Sequence, residues 1–327
     1  MNSTSASRRR RLRGPGAACL ALSCSVVLGA AAPAHAFSGE NHEKITRAAL
    51  GAAGWHPNSL TAMANGSSGA IVANDHGQYF DIGKLHCDNA DYLDPRYDGG
   101  YPRTRGQADA EIIDCIDSSV HNFKRAVAAA DRLVDANGHV VAAQTSISRA
   151  CDWNDQPGRA KCEVLEDLGR GWHQIEDFYA HSNWADHAGP GAIGVKNPPG
   201  LGRTDLPAFF SISRYSSMSK ADWIKDATGH IPHDLATGCY PDRDHTGTAS
   251  NCAGRVTHDG VLNKDTKDTP RSVIDHNFDH AYDLAVKDIA RQWKNFEDEL
   301  QRKYPNNGRA KAMICAITHD HPDKTCS

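Results

Sequence analysis

Apolar residues recur along this chain at steps of three and four, the spacing that builds one face of a helix. Residues 106–135 carry Ile112, Ile113, Ile116, Val120, Phe123, Ala126, Val127, Ala130, Leu133 and Val134 in that register, which predicts one long amphipathic helix. Residues 272–303 repeat the step through Val273, Phe278, Ala281, Leu284, Ala285, Ile289, Trp293, Phe296 and Leu300, and predict the longest helix. Shorter helices are expected over 41–53, 141–150, 163–184 and 308–317, with a glycine-bearing one over 59–74. No segment alternates apolar and polar residues for the length of a strand; the β-branched pair Val140-Val141 is too short. Gly and Pro fill 187–204, while His, Asp, Gly and Thr fill 229–270, so both read as loops. No internal repeat and no linker divides the chain. The pattern predicts an all-α fold, a single multi-helix domain with long loops.

One apolar stretch has a different meaning. Residues 8–13 read RRRRLR, residues 16–34 carry no charge, and Ala34-His35-Ala36 places small residues about a cleavage point. That is a secretory signal peptide over 1–36, cut after Ala36, with the mature domain spanning 37–327. The reading implies export and excludes a cytosolic protein. The leader's arginine run is close to a twin-arginine pattern, with Arg where an aromatic is usual, so twin-arginine and general secretion both stay open. Removing its five arginines leaves 31 basic against 40 acidic residues, a net charge of −9. That balance argues against a protein that coats nucleic acid. No later stretch approaches the ~18 apolar residues of a membrane span.

Export changes the reading of cysteine. After Cys19 and Cys24 leave with the leader, eight remain: Cys87, Cys115, Cys151, Cys162, Cys239, Cys252, Cys315 and Cys326. An even set in an exported chain reads as disulfides, with free thiols or metal ligands as the alternative. The spacings suggest 151–162, 239–252 and 315–326, which leaves 87–115.

The mature chain also has 17 histidines, some beside aspartates. The segment Gly171-Trp172-His173-Gln174-Ile175-Glu176-Asp177-Phe178-Tyr179-Ala180-His181-Ser182-Asn183-Trp184 is the richest. On a helix, positions four apart drift only about 40° and rise ~6 Å, so His173, Asp177 and His181 form one stripe. Two imidazoles around a carboxylate can present ligands to adjacent metal ions, with Asp177 able to bridge, and zinc takes both donor types. A solvated polar face is the plainer alternative, but Trp172, Phe178, Tyr179 and Trp184 flank the stripe and suggest partial burial. One helix cannot surround an ion. Further candidates are His42, five residues after the expected new terminus Phe37, whose α-amine can lose a proton to a metal near neutral pH; Asp75 in IVAND; His86 in LHCDN; and His258 and Asp265 in THDGVLNKD. Taken singly, each is a common loop or helix-end residue.

Together these residues resemble the bacterial zinc-dependent phospholipase C proteins and the related fungal heterokaryon-incompatibility-C proteins, which share an architecture with the single-strand-specific zinc nucleases. The resemblance runs through FSGENHEKIT, IVAND, LHCDN, the H-x-x-x-D of His173 and Asp177, DFYAHSNW, and a segment similar to an H-x-G-x-x-N-K-D pattern. It implies an all-α fold holding two or three Zn2+ ions. Their ligands would be the Phe37 amine and carbonyl, His42, Asp75, His86, His173, Asp177, His181, His258 and Asp265, with Asp75 also orienting or deprotonating the attacking water. Phe37 stands where Trp is more usual, and Asp81 could replace Asp75. His276 and His280 could compete with the last pair, although an exposed helix face suits them better. The gap from Asp177 to His181 follows the heterokaryon-incompatibility-C form.

The implied activity is phosphodiester hydrolysis. A phospholipase C acting on phospholipid head groups, with transient contact to a membrane surface, is the first expectation. A single-strand nuclease on the same scaffold and a secreted metal-binding accessory protein with little hydrolysis are the rivals. Lys264 and Arg170 are possible phosphate contacts, with solvated surface charge the commoner role for such residues. Head-group preference and oligomeric state are not written in the sequence.

Overall fold

The computed structural model describes residues 37–147, 150–241, 251–306 and 308–326. The leader, including its cleavage point, and part of the 229–270 loop lie outside the described residues. The fold is all-α. The described residues hold isolated β-bridges, such as Val134 with Val140, and no sheet.

The helix that organises the molecule is α5 (Ala160–His181; α1 to α4 are placed below). Every one of its residues except Glu163 is buried. The stripe expected to be partly covered is therefore wholly enclosed, because neighbours close on α5 from all sides. These are α1 (Gly39–Gly51), α3 (Arg105–Ala130), α8 (Asn277–Lys303) and a 3-10 segment, Ala70–Asp75. On a helix this deep an unpaired polar group is costly. Tyr179 accordingly donates to Asp288 of α8 at 2.9 Å, and the Lys161 ammonium donates to Ser59 and to the His319 carbonyl.

The long outer helices follow their apolar steps. α3 starts where Thr104 and Gln107 form a reciprocal capping box, which satisfies two otherwise orphaned N–H groups. It ends at Ala130 and tightens into a 3-10 turn through Leu133. α8 begins at Asn277 rather than 272, because Asp275 and His276 take left-handed backbone conformations that a helix cannot contain. Helix over 59–74 resolves into a short α2 (Pro57–Met63) and the 3-10 segment, separated by the glycines. The expected helix over 141–150 contracts to α4 (Ala142–Thr145). Three α-helices were not legible in the pattern, α6 (Ile212–Ser216), α7 (Lys220–His230) and the short α10 (Pro322–Thr325). α7 buries only Trp223 and Ala227, too few apolar positions to mark a face. The chain closes with α9 (Arg309–Thr318) and α10 (Pro322–Thr325).

Four disulfides are formed, Cys87–Cys115, Cys151–Cys162, Cys239–Cys252 and Cys315–Cys326. Such a set fits an oxidising environment outside the cytosol. Cys87–Cys115 closes the widest loop, 28 residues in sequence, and restricts the unfolded chain by about 3–4 kcal/mol. Among the described residues no helix is long and apolar enough to cross a membrane.

Gly169 sets how closely the 3-10 segment lies on α5. A Cβ there would stand 2.5 Å from the Ala70 carbonyl carbon and oxygen. Gly169→Ala is therefore expected to destabilise. Overpacking against backbone costs about 1–3 kcal/mol and outweighs the roughly 1 kcal/mol gain in helix propensity. A thermal melt that shows equal or higher stability for the variant contradicts the close approach.

Candidate metal centre

His173, Asp177 and His181 lie along α5 with zero exposure. Two clusters form at successive turns of the stripe.

The first gathers around Asp177. Its Oδ2 lies 2.9 Å from both His173 Nε2 and His86 Nδ1, and its Oδ1 lies 3.2 Å from His42 Nε2. His173 Nε2 is also 3.4 Å from Asp75 Oδ1. The five side chains come from four elements: His42 from α1, Asp75 from the end of the 3-10 segment, His86 from the turn after Gly83–Leu85, and the other two from α5. The far nitrogens are oriented from behind. His42 Nδ1 meets the Glu176 carboxylate at 2.5 Å, and Thr46 donates to the other oxygen of Glu176 at 2.7 Å. His173 Nδ1 donates to the Ile71 carbonyl at 2.8 Å. This arrangement, an imidazole held by a carboxylate or carbonyl on its outer side, is the support that metal-ligating histidines need.

The second cluster sits one turn on. His181 and His258 face each other through their Nε2 atoms at 2.9 Å. Asp88 Oδ1 lies 3.1 Å from His181 Nδ1, and Asp265 Oδ1 lies 3.3 Å from His181 Nε2. His258 Nδ1 meets the Asp259 carboxylate at 2.8 Å. The strands of loop that carry these groups are sewn together. The Asn89 N–H donates to Gly238 O, the Tyr240 N–H to Asn89 Oδ1, the Gly238 N–H to His181 O and the His258 N–H to Cys239 O. Phe80 and Tyr240, edge to face at 6.3 Å, border both clusters, since Phe80 also meets the His86 ring and Tyr240 the His258 ring.

The donor set fits a metal. His42 with His173 and Asp177, Asp75 with His86 and His173, and Asp88 with His181 and His258 each converge closely enough to share one ion. Inside this region His42 Nε2, Asp75 Oδ1, His86 Nε2, Asp88 Oδ1, Asp177 Oδ1 and His181 Nδ1 are buried without a hydrogen-bond partner. Unsatisfied buried acceptors and imidazoles at this density are costly unless a cation completes them. The protonation balance tells the same story. Burial and the neighbouring His173 pull the His42 pKa down, but the adjacent Asp177 and Glu176 carboxylates overcome them and lift it to about 9. Burial also opposes the charge on His173 and His181, yet adjacent carboxylates raise both well above the usual histidine range. Asp177 resists burial through His173 and is held well below the ordinary carboxylate range; Asp75 is lowered for the same reason.

All the sequence-derived candidates fall in or beside this region. Phe37 is fully buried and packs edge-on to the His42 ring at 6.0 Å. Ser38 occupies the helix N-cap without a side-chain cap bond, and Asn41 sends its amide to the Asp265 carbonyl instead. Asp81 belongs to no convergent group, and His276 lies exposed beside Asp279. Two expectations need correction. Lys264 is not a surface charge or phosphate contact: it is fully buried, donates to the Ser182 and Leu262 carbonyls, and pairs with Asp186. Arg170 is equally enclosed, stacked on Tyr79 and bonded to Glu166, Asn74 and the Ala73 carbonyl. Asp88 and Glu176 were missed. Glu176 was visible only as the neighbour of Asp177, and Asp88 only as the residue two beyond His86.

Elsewhere, Asp94, His233 and Asp234 converge at the surface, but Arg96 already pairs with both aspartates. Cys315 and Cys326 near His319 are joined in a disulfide. Compared with known proteins, the chain matches no family model, no curated protein and no solved structure.

Proposed function

We propose that this chain is a secreted zinc-dependent phosphodiesterase of the phospholipase C kind. The observation that carries the reading is the position of Asp177, whose two oxygens face histidines of two different convergent groups while a third group sits one turn away on the same helix. Adjacent divalent sites of that sort suit in-line displacement at phosphorus. His42, His86, His173, Asp177, His181 and His258 would hold the ions, joined by Asp75, Asp88 or Asp265 and by the Phe37 terminus. Zinc held there would polarise a phosphoryl oxygen and ease the deprotonation of water. The chain's own residues do the rest. Asp75 Oδ1, buried and without a hydrogen-bond partner, accepts the proton of the attacking water, and its lowered pKa keeps it ionised to do so. Glu176 and the Ile71 carbonyl hold His42 and His173 in the orientation that points a lone pair inward.

The expected substrate is a phospholipid head-group diester, met by transient contact with a lipid surface. The mature protein should carry two or three zinc ions per chain, because the donors exceed what one tetrahedral ion can use. Elemental analysis after zinc loading checks this, and less than one equivalent removes the metal reading. Hydrolysis of a chromogenic phosphodiester then separates an enzyme from an accessory protein. Phosphatidylcholine vesicles set against single-stranded DNA separate a lipase from a nuclease.

A further inference from the structure

Two neutral amides grip the backbone immediately before His86. Asn74 Nδ2 donates to the Leu85 carbonyl at 3.0 Å and to the Arg170 carbonyl at 3.1 Å, while its Oδ1 accepts from Arg170 at 2.9 Å. Gln174 Nε2 donates to the preceding carbonyl, Lys84 O, at 2.9 Å, and its Oε1 accepts from Ser119 at 2.9 Å. Both side chains are fully buried. Asn74 precedes Asp75, Leu85 precedes His86, and Arg170 and Gln174 flank His173 on α5. Three segments that contribute to one cluster thus meet at two carboxamides.

The choice of amide has a physical reason. A carboxylate in either place would offer no N–H to a carbonyl and would add a buried charge among Asp75, Asp177 and their histidines. A hydrocarbon would leave the carbonyls unpaired. His86 itself sits on a short turn after Gly83–Leu85, with no helix of its own to fix its direction. Its reach toward Asp177 and His173 depends on where that turn is held.

We infer that Asn74 and Gln174 are positioning residues, a carboxamide clamp on Lys84–Leu85 that fixes His86 against Asp177 and His173. The role as a metal support rests on the function proposed above; the clamp on the backbone does not. Gln174 therefore matters although it points away from the ligand stripe, and its replacement is not the harmless control its direction along the helix suggests.

The test uses the full mature protein carrying Gln174→Met, which keeps volume and removes both hydrogen bonds. A Met313→Ala variant, which hollows the core under α9, serves as the comparison for a general loss of stability. Hydrogen exchange of the His86 and Asp88 amides, both bonded to Gly83 O, is read in the metal-free protein. Zinc affinities are read by competition titration. Gln174→Met should speed that exchange about tenfold beyond the change in Met313→Ala. It should also weaken one zinc equivalent by about 10–100-fold, the range for lost outer support of a ligand, with the others unchanged. Unchanged exchange overturns the clamp. Faster exchange with every zinc affinity retained overturns its positioning role. A wild-type protein that binds no zinc removes the metal reading alone, and the exchange result then decides the clamp.

Discussion

Asp177→Asn should strip the protein of most of its bound zinc and nearly all of its activity. Asp177 faces His42, His86 and His173 together, at 3.2, 2.9 and 2.9 Å. Asn keeps the shape, so the helix should persist, but it presents one oxygen and one NH2 where two anionic oxygens stood. Zinc stoichiometry should fall from two or three to about one, the remaining ion held by His181 and His258. Diester hydrolysis should drop by about 10³-fold, roughly 4 kcal/mol of transition-state stabilisation. A variant that keeps full stoichiometry would show that Asp177 serves only as a structural anion for its histidines.

The carboxylates around these histidines fix the pH behaviour. In the metal-free protein His42 has a pKa near 9, and His173 and His181 lie well above the usual histidine range. These imidazoles are protonated at neutral pH and must lose those protons to bind metal. Binding then releases protons, and affinity falls as pH falls. Without metal, raised histidine pKa values stabilise the fold at low pH, and that contribution is lost as pH rises from about 6.5 through 9. The gap in melting temperature between zinc-loaded and chelator-treated protein should therefore widen from pH 6 to 9. A gap independent of pH would remove the coupling.

The second large effect concerns Phe37, the first residue of the chain if the leader is cut after Ala36 as proposed. One extra residue before Phe37, such as Met, should weaken one zinc equivalent by about 10²-fold or more, near 3 kcal/mol, and reduce hydrolysis in parallel. Burial of Phe37, its contacts with His42 and Phe278, and the bonds from Ser38 and Asn41 to Asp265 O pin this end of the chain beside the cluster. Ser38, at the N-cap of α1, makes no side-chain cap bond, and Asn41 is turned to the Asp265 carbonyl. Extension converts an amine, which can ligate, into an amide, which does not. N-terminal sequencing of the secreted protein with zinc titration of the extended form decides it. A start other than Phe37, or unchanged affinity, removes this ligand and leaves α5 untouched.

What the sequence made legible was whatever repeats at a helical period. The stripe on α5 and the apolar faces of α3 and α8 follow from spacing alone. Asp88 does not, because its direction depends on left-handed backbone at Cys87 and Asn89, which swings neighbouring side chains out of any regular register. The burial of Lys264 was equally hidden. It relies on Asp186, 78 residues away, which Arg271 also holds. α7 escaped notice because a helix lying on a surface needs few apolar residues. The fold class is encoded locally, whereas the polar interior of this molecule is encoded by pairs distant along the chain.

Cys87 stands between His86 of one cluster and Asp88 of the other, and its bond to Cys115 anchors both to α3. On the proposed reading, that places a compartment check at the heart of the catalyst. On the same reading, a chain still inside the reducing cytosol would lack the anchor, and an uncleaved leader would block the Phe37 amine. Protein recovered from a reducing cytosol should accordingly be poor in zinc until it is oxidised.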